Sequence, residues 1–436
     1  MLMKKARILC LGLAIVLCSA CAAPSLRYKS DVNKLISNGQ FQEAEALVVS
    51  KKNKLYTKKD SVLFYLDRAA LLHDNQQPRK SDELFARAQQ RIDELYTKSI
   101  SASVGRLLIN DLTTPYYAAD YEQALTFFYR AVNFMQLGDV ENAAVEARKA
   151  VTFLDYLRGH KQNGYTDDAF VQYASSLIFE SAGERDDARI ARENAARAYE
   201  KVGITMPSFT IPADANNLGE VIIFHYNGQL PLKKSQTLQV SWDKLVAHAS
   251  KPVETRDHVH PAVQNAIVAG VVGNAVTLSF PVLETQTYQI TSSLAEVNGQ
   301  QFALQKAADL SLLAKQDLDE KLPAIWFRLA TRAIIRQTAI VQTRHAVKKG
   351  TDNKGMEELA GHLFSAFGAA LERADTRQWF TLPAEIYMTR LFLPAGKQDI
   401  KLLFRDGNGN VLQTYTFENV AIKKGSRVFL HYRTAL

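Results

Sequence analysis

Cysteine is nearly absent from this sequence, and the few cysteines it has lie at one end. Of 436 residues only three are cysteines, Cys10, Cys18 and Cys21. A chain segment without cysteine forms no disulfide and no zinc–thiolate site, and it holds no cysteine nucleophile. The composition therefore excludes thiol chemistry for residues 22–436 and suits an oxidising compartment such as the periplasm.

Long apolar runs are absent as well. The longest, Ile8–Leu17, is interrupted only by Gly12 and falls short of the roughly 20 residues that a membrane-spanning helix needs. Basic residues precede this run within residues 4–7, and the small residues Ser19 and Ala20 follow it. This three-part layout predicts a secretory signal at residues 1–20.

The end of this segment carries a more specific pattern. The Ser-Ala-Cys triplet ending at Cys21 resembles the lipobox of bacterial lipoproteins, although Cys18 stands where leucine is usual. The resemblance implies acylation of Cys21 with fatty acids such as palmitate, with residues 21–30 as a tether. Ala22, in place of aspartate, resembles cargo sorted to the outer membrane. The alternative is a plain secretory signal cut after Ala20 or Ala22, which leaves no anchor.

Glycine and proline are scarce inside the periodic runs of residues 31–205, which predicts a helical domain. Four stretches there share one spacing, in which a turn residue is followed by small residues and preceded by a bulky one. The turn residues are Gly39, Gln76, Gly138 and Gly183, and the bulky residues are Leu35, Leu72, Phe134 and Phe179. The spacing resembles diverged tetratricopeptide repeats (TPRs) at irregular intervals. The alternative is an ordinary helical bundle.

A dense set of aromatic residues lies between the second and third of these stretches. It includes Tyr121, Phe128 and Phe134. Such a stripe is most often core, and otherwise it lines the concave groove with which helical repeats bind a partner. We keep these three residues as candidates for partner binding.

The second half of the chain has a mixed pattern. Prolines and an Asn-Asn-Leu-Gly turn mark a boundary, after which residues 218–300 alternate like strands, residues 301–374 favour helix, and residues 383–436 predict a small antiparallel β-sandwich. The expected fold class is α+β and multidomain. The predicted helices are Phe302 to Asp319, Leu322 to Lys348 and Met356 to Arg373.

One predicted helix carries a cationic stripe. Arg328, Arg332 and Arg336 are spaced at i, i+4 and i+8 and therefore share a face. Such a stripe can hold phosphate or carboxylate groups. The alternatives are a solvated face or a scaffold paired with acids such as Asp375.

Catalytic motifs are absent. The sequence contains no Gly-x-Ser-x-Gly elbow, no His-Glu-x-x-His and no phosphate loop. Asp257, His258 and His260 are close in sequence, but no further ligand cluster joins them, so loop histidines without metal are favoured. The formal net charge of +8 falls to about +5 once the signal is removed, which does not indicate nucleic-acid binding. We expect no enzyme activity, cofactor or metal.

Several longer motifs carry a family resemblance. The segments "YEQALTFFYRAVNFMQLGDVENAAVEARKA", "EVIIFHYNGQLPLKK", "ERADTRQWFTLPAEIYMTRLFLPAGKQDI" and "VFLHYRT" accompany the lipobox. Together they resemble an uncharacterised family of bacterial TPR-type outer-membrane lipoproteins. The resemblance implies envelope assembly or secretion and names no reaction. The expected function is a lipid-anchored, periplasm-facing scaffold for a protein partner, and the alternative is a module that binds peptidoglycan or lipopolysaccharide.

Overall fold

The computed structural model describes residues 23–99, 112, 114–240, 276–350 and 373–436, and it has the expected α+β class. Helices occupy the first part of the described chain and strands dominate the last. The helices are α1 (Ala23–Ser37), α2 (Phe41–Ser50), α3 (Ser61–Asp74), α4 (Pro78–Ser99), α5 (Asp120–Gln136), α6 (Val140–His160), α7 (Ala169–Ala182), α8 (Arg185–Val202) and α9 (Leu310–Gly350).

Helices α1 to α8 form four consecutive pairs whose turns share one geometry. The turn residues adopt the left-handed backbone conformation, with φ of 71° at Gly39, 56° at Gln76, 75° at Gly138 and 79° at Gly183. The residue after each turn donates its N–H to the carbonyl five positions back, at 2.9 Å in all four turns. The accepting residues are Leu35, Leu72, Phe134 and Phe179. This is the Schellman arrangement, which satisfies carbonyls that a helix end leaves without partners.

Within the described residues, ten strands form two four-stranded sheets and one two-stranded sheet. The strands are β1 (Gly219–Asn227), β2 (Leu232–Val240), β3 (Val276–Glu284), β4 (Ser292–Val297), β5 (Gln300–Ala303), β6 (Gln305–Asp309), β7 (Glu385–Leu393), β8 (Gly396–Arg405), β9 (Val411–Ile422) and β10 (Arg427–Thr434). The first sheet has the order β10-β1-β7-β6, the second β5-β4-β8-β9, and β2 pairs with β3. Only β1 and β10 run parallel, so the other pairs in these sheets are antiparallel.

The first sheet lies between the helices and the second sheet. Strand β1 is buried along its whole length. Because successive side chains of a strand point to opposite faces, β1 contributes side chains to two cores. Ile222 and Phe224 belong to the large core that the helices share, whereas Val221 and Ile223 belong to a smaller core with residues of the second sheet. The first sheet therefore joins the helical part to the rest of the molecule.

The division of the second half differs from the one expected from the sequence. Residues 383–436 do not stand apart, because β7 and β10 pair with β1 while β8 pairs with β4. A helix was expected to begin at Phe302, but Phe302 and Ala303 belong to strand β5 and Gln305–Asp309 form strand β6. The two helices expected between Phe302 and Lys348 are one helix, α9, which continues through Pro323. Pairing between strands distant in sequence outweighs the local pattern here.

Candidate functional site

A surface depression lies between helices α4, α5 and α6. We call it the α4–α6 groove and define it by two adjoining cavities of about 550 Å³ and 380 Å³. Both cavities are lined by Ile92, Asp93, Gln123, Phe153 and Tyr156, so they form one continuous feature. The volumes lie in the range of pockets that bind ligands or peptide side chains.

Apolar side chains reach the surface around this groove. Tyr96, Tyr117, Val145 and Tyr156 line it and are all exposed, with 57% of Tyr96 and 45% of Tyr156 accessible. The hydroxyl groups of Tyr96 and Tyr156 lie 3.1 Å apart, so α4 and α6 meet across the groove. A cluster of exposed aromatic residues beside a concavity is typical of a surface that binds another molecule.

Polar groups at the groove are already partly engaged. Arg148 forms an ion pair with Glu184 at 2.6 Å, and Lys149 contacts Glu146 at 2.8 Å. Gln123 donates to the carbonyl of Ala118 at 3.0 Å. These contacts fix the positions of side chains at the rim of the groove.

The aromatic residues selected from the sequence lie elsewhere. Tyr121 and Phe128 are only 2% exposed and belong to the helical core, and Phe128 contacts Phe170 and Phe224 edge to face. Phe134 is partly buried against the same core. The structure thus gives Tyr121 and Phe128 the core role that was the other expectation for the stripe. The exposed tyrosines at the groove were not predicted as binding residues. The available signal was the spacing of Ile92 and Tyr96 along α4 and of Phe153 and Tyr156 along α6.

The predicted cationic stripe borders a different cavity. Arg328 and Arg332 of α9 line a space of about 290 Å³ between α9, strands β2 and β3 and residues 114–119 and 373–377. We call it the cationic cavity. Arg332 is 8% exposed, so the solvated-face alternative does not describe it. The side chain of Arg336 lies outside the described residues.

A buried polar cluster fastens the helices to the first sheet. His73 of α3 stacks on His431 of β10, with ring centroids 3.8 Å apart and planes 11° from parallel. His73 Nδ1 donates to Asn133 Oδ1 at 2.7 Å, and its Nε2 accepts from the Tyr226 hydroxyl at 3.2 Å. His431 Nε2 donates to the carbonyl of His73 at 2.9 Å, and its Nδ1 accepts from Gln136 Nε2 at 2.7 Å.

This arrangement satisfies both imidazoles in the neutral form. Burial lowers the pKa of His431 to about 4, and burial together with the neighbouring His431 places the pKa of His73 well below its usual value. Both side chains are fully enclosed. The pair therefore joins α3, α5, β1 and β10 and does not present a reactive nitrogen to a substrate.

Two other buried groups have shifted pKa values for the same reason. Burial raises the pKa of Asp67 to about 7, although it accepts hydrogen bonds from Tyr56 at 2.6 Å and Thr381 at 3.2 Å. Burial lowers the pKa of Lys29 to about 8, and its ammonium donates to the carbonyl of Thr376 at 2.8 Å. These contacts hold the segment after residue 373 against the helices.

The part of the chain that the structure describes offers neither a metal site nor a membrane-spanning helix. Within that part, no group of three or more His, Cys, Asp or Glu side chains is arranged to hold a metal ion. The same residues include no helix long and apolar enough to cross a membrane. Cys21 and the Asp257, His258 and His260 cluster lie outside the described residues.

Comparison with known proteins adds no assignment: no family model, no curated protein and no solved structure matches this chain.

Proposed function

We propose that this protein is a non-catalytic scaffold of the bacterial cell envelope, anchored to the outer membrane by lipid at Cys21, that binds a protein partner. The α4–α6 groove is the binding surface, and a partner segment carrying apolar or aromatic side chains is its occupant. The setting is envelope assembly or secretion.

The observation that carries this proposal is the cluster of exposed tyrosines around the groove. Tyr96, Tyr117 and Tyr156 surround a concavity that continues from one cavity into the next. Aromatic anchors in a groove between helices are the usual basis of peptide recognition on helical scaffolds. Two adjoining cavities suit a chain segment, which can place one side chain in each, better than a compact small molecule.

We infer that the four helix pairs are diverged TPRs, because each ends its first helix with the same turn geometry at an equivalent position. We infer further that the two four-stranded sheets form a sandwich, since residues of both contribute to the smaller core.

The lipid anchor strengthens partner binding at the groove. The basic opening, short apolar run and Ser-Ala-Cys triplet support lipidation of Cys21. Two or more acyl chains hold a protein stably on a membrane. A partner in the same membrane then meets the groove at a raised effective concentration, so that a modest contact area suffices.

The test is site-specific photocrosslinking in intact cells. Tyr156→p-benzoylphenylalanine places the reactive group in the groove, and Ile190→p-benzoylphenylalanine is the matched control, because Ile190 is also 45% exposed but lies on α8 outside the groove. We expect a discrete protein adduct from position 156 and none from position 190. Equal adducts at both positions, or adducts of position 156 with peptidoglycan or lipopolysaccharide alone, contradict the proposal.

The anchor is tested separately. Labelled palmitate should mark the wild-type protein and not Cys21→Ser. Equal labelling of the two removes the anchor from the proposal without touching the groove.

A further inference from the structure

A segment rich in lysine follows helix α2. Residues 51–59 read "KKNKLYTKK" and contain five lysines, and no acidic residue occurs from residue 46 to residue 59. We call residues 51–59 the lysine turn. Four of its lysines are exposed, and Lys51 is partly exposed. A run of like charge is often no more than a solvated surface, so its neighbours decide whether it has a binding role.

The lysine turn is held in place by hydrogen bonds. The carbonyl of Lys51 accepts from the N–H groups of Lys54 and Leu55 at 3.0 Å and 2.9 Å, which folds the chain back on itself. Tyr56 is buried in the helical core, and its hydroxyl donates to Asp67 Oδ2 at 2.6 Å. The lysines therefore extend from a fixed frame and cannot separate as they would on a flexible tail.

The carboxylates on either side of the lysine turn are engaged with other cations. Glu45 pairs with Arg68 at 2.6 Å, and Asp60 pairs with Arg377 at 2.9 Å. None of the five lysines forms an ion pair with a residue that the structure describes. Like charges held close together repel one another, and an anionic surface brought near them relieves the repulsion.

Helix α1 places the lysine turn beside the proposed anchor. The helix begins at Ala23, two positions after Cys21 in the sequence, so most of the expected tether is helical. A chain spans at most about 3.6 Å per residue, which keeps an acyl group at position 21 near the first turn of α1. One turn further along, the ring of Tyr28 meets that of Tyr56 edge to face, with centroids 6.1 Å apart and hydroxyl oxygens 3.1 Å apart.

Helix α1 is itself fixed to the body of the protein. Lys29 Nζ donates to the carbonyl of Thr376 at 2.8 Å, and Ser37 Oγ donates to the carbonyl of Ala435 at 2.8 Å. An acyl chain on Cys21 therefore leads into a helix that cannot swing away from the sheets. Insertion of that chain brings the lysine turn close to the membrane surface.

We propose that the lysine turn binds the anionic phospholipid headgroups of the membrane that holds the anchor. The inference rests on the proposed function for the acylation of Cys21, and it concerns a different surface from the α4–α6 groove. The attraction between lysine and an anionic membrane acts over about one Debye length, roughly 8–10 Å, which a surface beside the anchor lies within. Anchor and lysine turn together hold the protein in one orientation on the membrane.

The experiment is cosedimentation of the mature chain, residues 21–436, with lipid vesicles in low and moderate salt. The chain carries Cys21→Ser, so it has no acyl group and any binding comes from the protein surface. One set of vesicles contains phosphatidylcholine alone, and the other contains equal parts of phosphatidylcholine and phosphatidylglycerol. Purified peptidoglycan is the third probe, since it is the other envelope polymer that a basic surface meets.

Two triple variants of this chain remove the same charge from different surfaces. The turn variant changes three exposed lysines of the lysine turn: Lys54→Gln, Lys58→Gln and Lys59→Gln. Lys52 stays, because its ammonium group lies over the ring of Phe64, 5.4 Å from the centroid. The control variant changes three exposed lysines on β8 and after β9, across the first sheet from the helices: Lys397→Gln, Lys401→Gln and Lys424→Gln.

We expect the unsubstituted turn to bind the anionic vesicles and not the neutral ones, with weaker binding as salt is added. Each lysine near an anionic membrane raises affinity about fivefold, so the turn variant should bind about 100-fold more weakly. The control variant should bind within about twofold of the chain with all its lysines, because its lysines lie away from the membrane. Equal midpoints in urea unfolding show that both variants fold.

Four results overturn the proposal. They are the absence of binding to anionic vesicles, equal binding to neutral and anionic vesicles, equal losses in the turn and control variants, and binding to peptidoglycan in place of the vesicles. None of these results alters palmitate labelling of Cys21 or crosslinking at the groove, and failure of those two tests leaves vesicle binding by the unacylated chain unchanged.

Discussion

The stacked histidines at the junction of helices and sheet should make part of the stability of this protein sensitive to acid. Replacing His431 with phenylalanine keeps a flat ring against His73 but removes both ring nitrogens. Gln136 Nε2 and the carbonyl of His73 then lose buried partners. Each of the two unsatisfied groups costs about 1–3 kcal/mol, so the variant should be less stable by about 2–6 kcal/mol at pH 7.

The same substitution removes a titratable group whose folded pKa lies near 4, compared with an ordinary value of 6.5. Because the folded state binds fewer protons between these values, the stability that His431 contributes is fully present above pH 6.5 and is lost as the pH falls towards 4. A shift of this size corresponds to about 3 kcal/mol. The His431→Phe variant has no such group to titrate, so it does not lose this stability in acid. The substitution also removes the charge of His431, which is one of the causes that lower the pKa of His73. The difference between the two proteins should therefore shrink by about 3 kcal/mol as the pH falls from 7 towards 4.

The assay is urea unfolding at pH 4.5, 5.5 and 7, followed by the fluorescence of tryptophan, since Trp379 is fully buried beside Tyr129. His160→Phe serves as the control, because His160 is exposed on α6. A difference between His431→Phe and wild type that stays constant over this pH range refutes the reasoning.

Three further predictions concern the turns and the buried charges. Gly183→Ala should cost about 1 kcal/mol in urea unfolding, because the added methyl meets no atom within 4 Å and the cost is that of a left-handed backbone alone. Glu220→Gln should lower the free energy of unfolding by about 3–5 kcal/mol, because its buried carboxylate pairs with Arg390 at 2.5 Å and Arg427 at 2.6 Å. Asp67→Asn should stabilise the protein relative to wild type at pH 8 more than at pH 5, since a raised folded pKa contributes stability that disappears as the pH rises through 7.

Matched controls separate these effects from general damage. Gly159→Ala also meets no atom within 4 Å, but Gly159 lies inside α6, where alanine favours helix, so its effect should have the opposite sign to that of Gly183→Ala. Glu193→Gln removes an exposed ion pair with Arg189 and should change stability by less than about 1 kcal/mol. Asp67→Asn curves that run parallel to wild type over pH 5–8 would contradict the raised pKa.

Local features of the fold could be predicted from the sequence, and long-range ones could not. The turn residues Gly39, Gln76, Gly138 and Gly183 were selected by spacing alone, and they are the residues that join the helix pairs. A turn is recognisable because its left-handed residue and its neighbours are adjacent in sequence. Gln76 was found only because the bulky and small residues around it kept their positions.

The sheets lacked such a signal. The strands of residues 383–436 were expected to pair among themselves, whereas β7 and β10 take their places on either side of β1. Alternation of apolar residues shows that a strand is buried, and it does not show which strand is its neighbour. Residues 302–309 were mistaken for helix because a short apolar run fits a helix and a strand alike, and the pairing with β4 and β7 that decides it is distant in sequence.

In the candidate sites, too, residues close in sequence could be predicted and residues brought together by the fold could not. The spacing of Arg328 and Arg332 predicted a shared face, and both line the cationic cavity. Lys233 joins them from a distant strand, and nothing in its surroundings in sequence distinguishes it from Lys234. Tyr121 and Phe128 were chosen for aromatic density, but density alone does not separate core from surface, which is decided by how α5 packs on α7 and β1.

The parallel pairing of β10 with β1 has a consequence for how the molecule is made. Strand β1 carries Val221, Ile222, Ile223 and Phe224, and its two neighbours arrive only after the chain has passed through α9. During synthesis the helix pairs can form early because their contacts are local. Strand β1 has no neighbouring strand on either edge until the residues after α9 are made, so both of its edges can pair with other chains. Removing the last strand should leave one edge of β1 exposed in the folded protein and make the chain more sensitive to proteolysis.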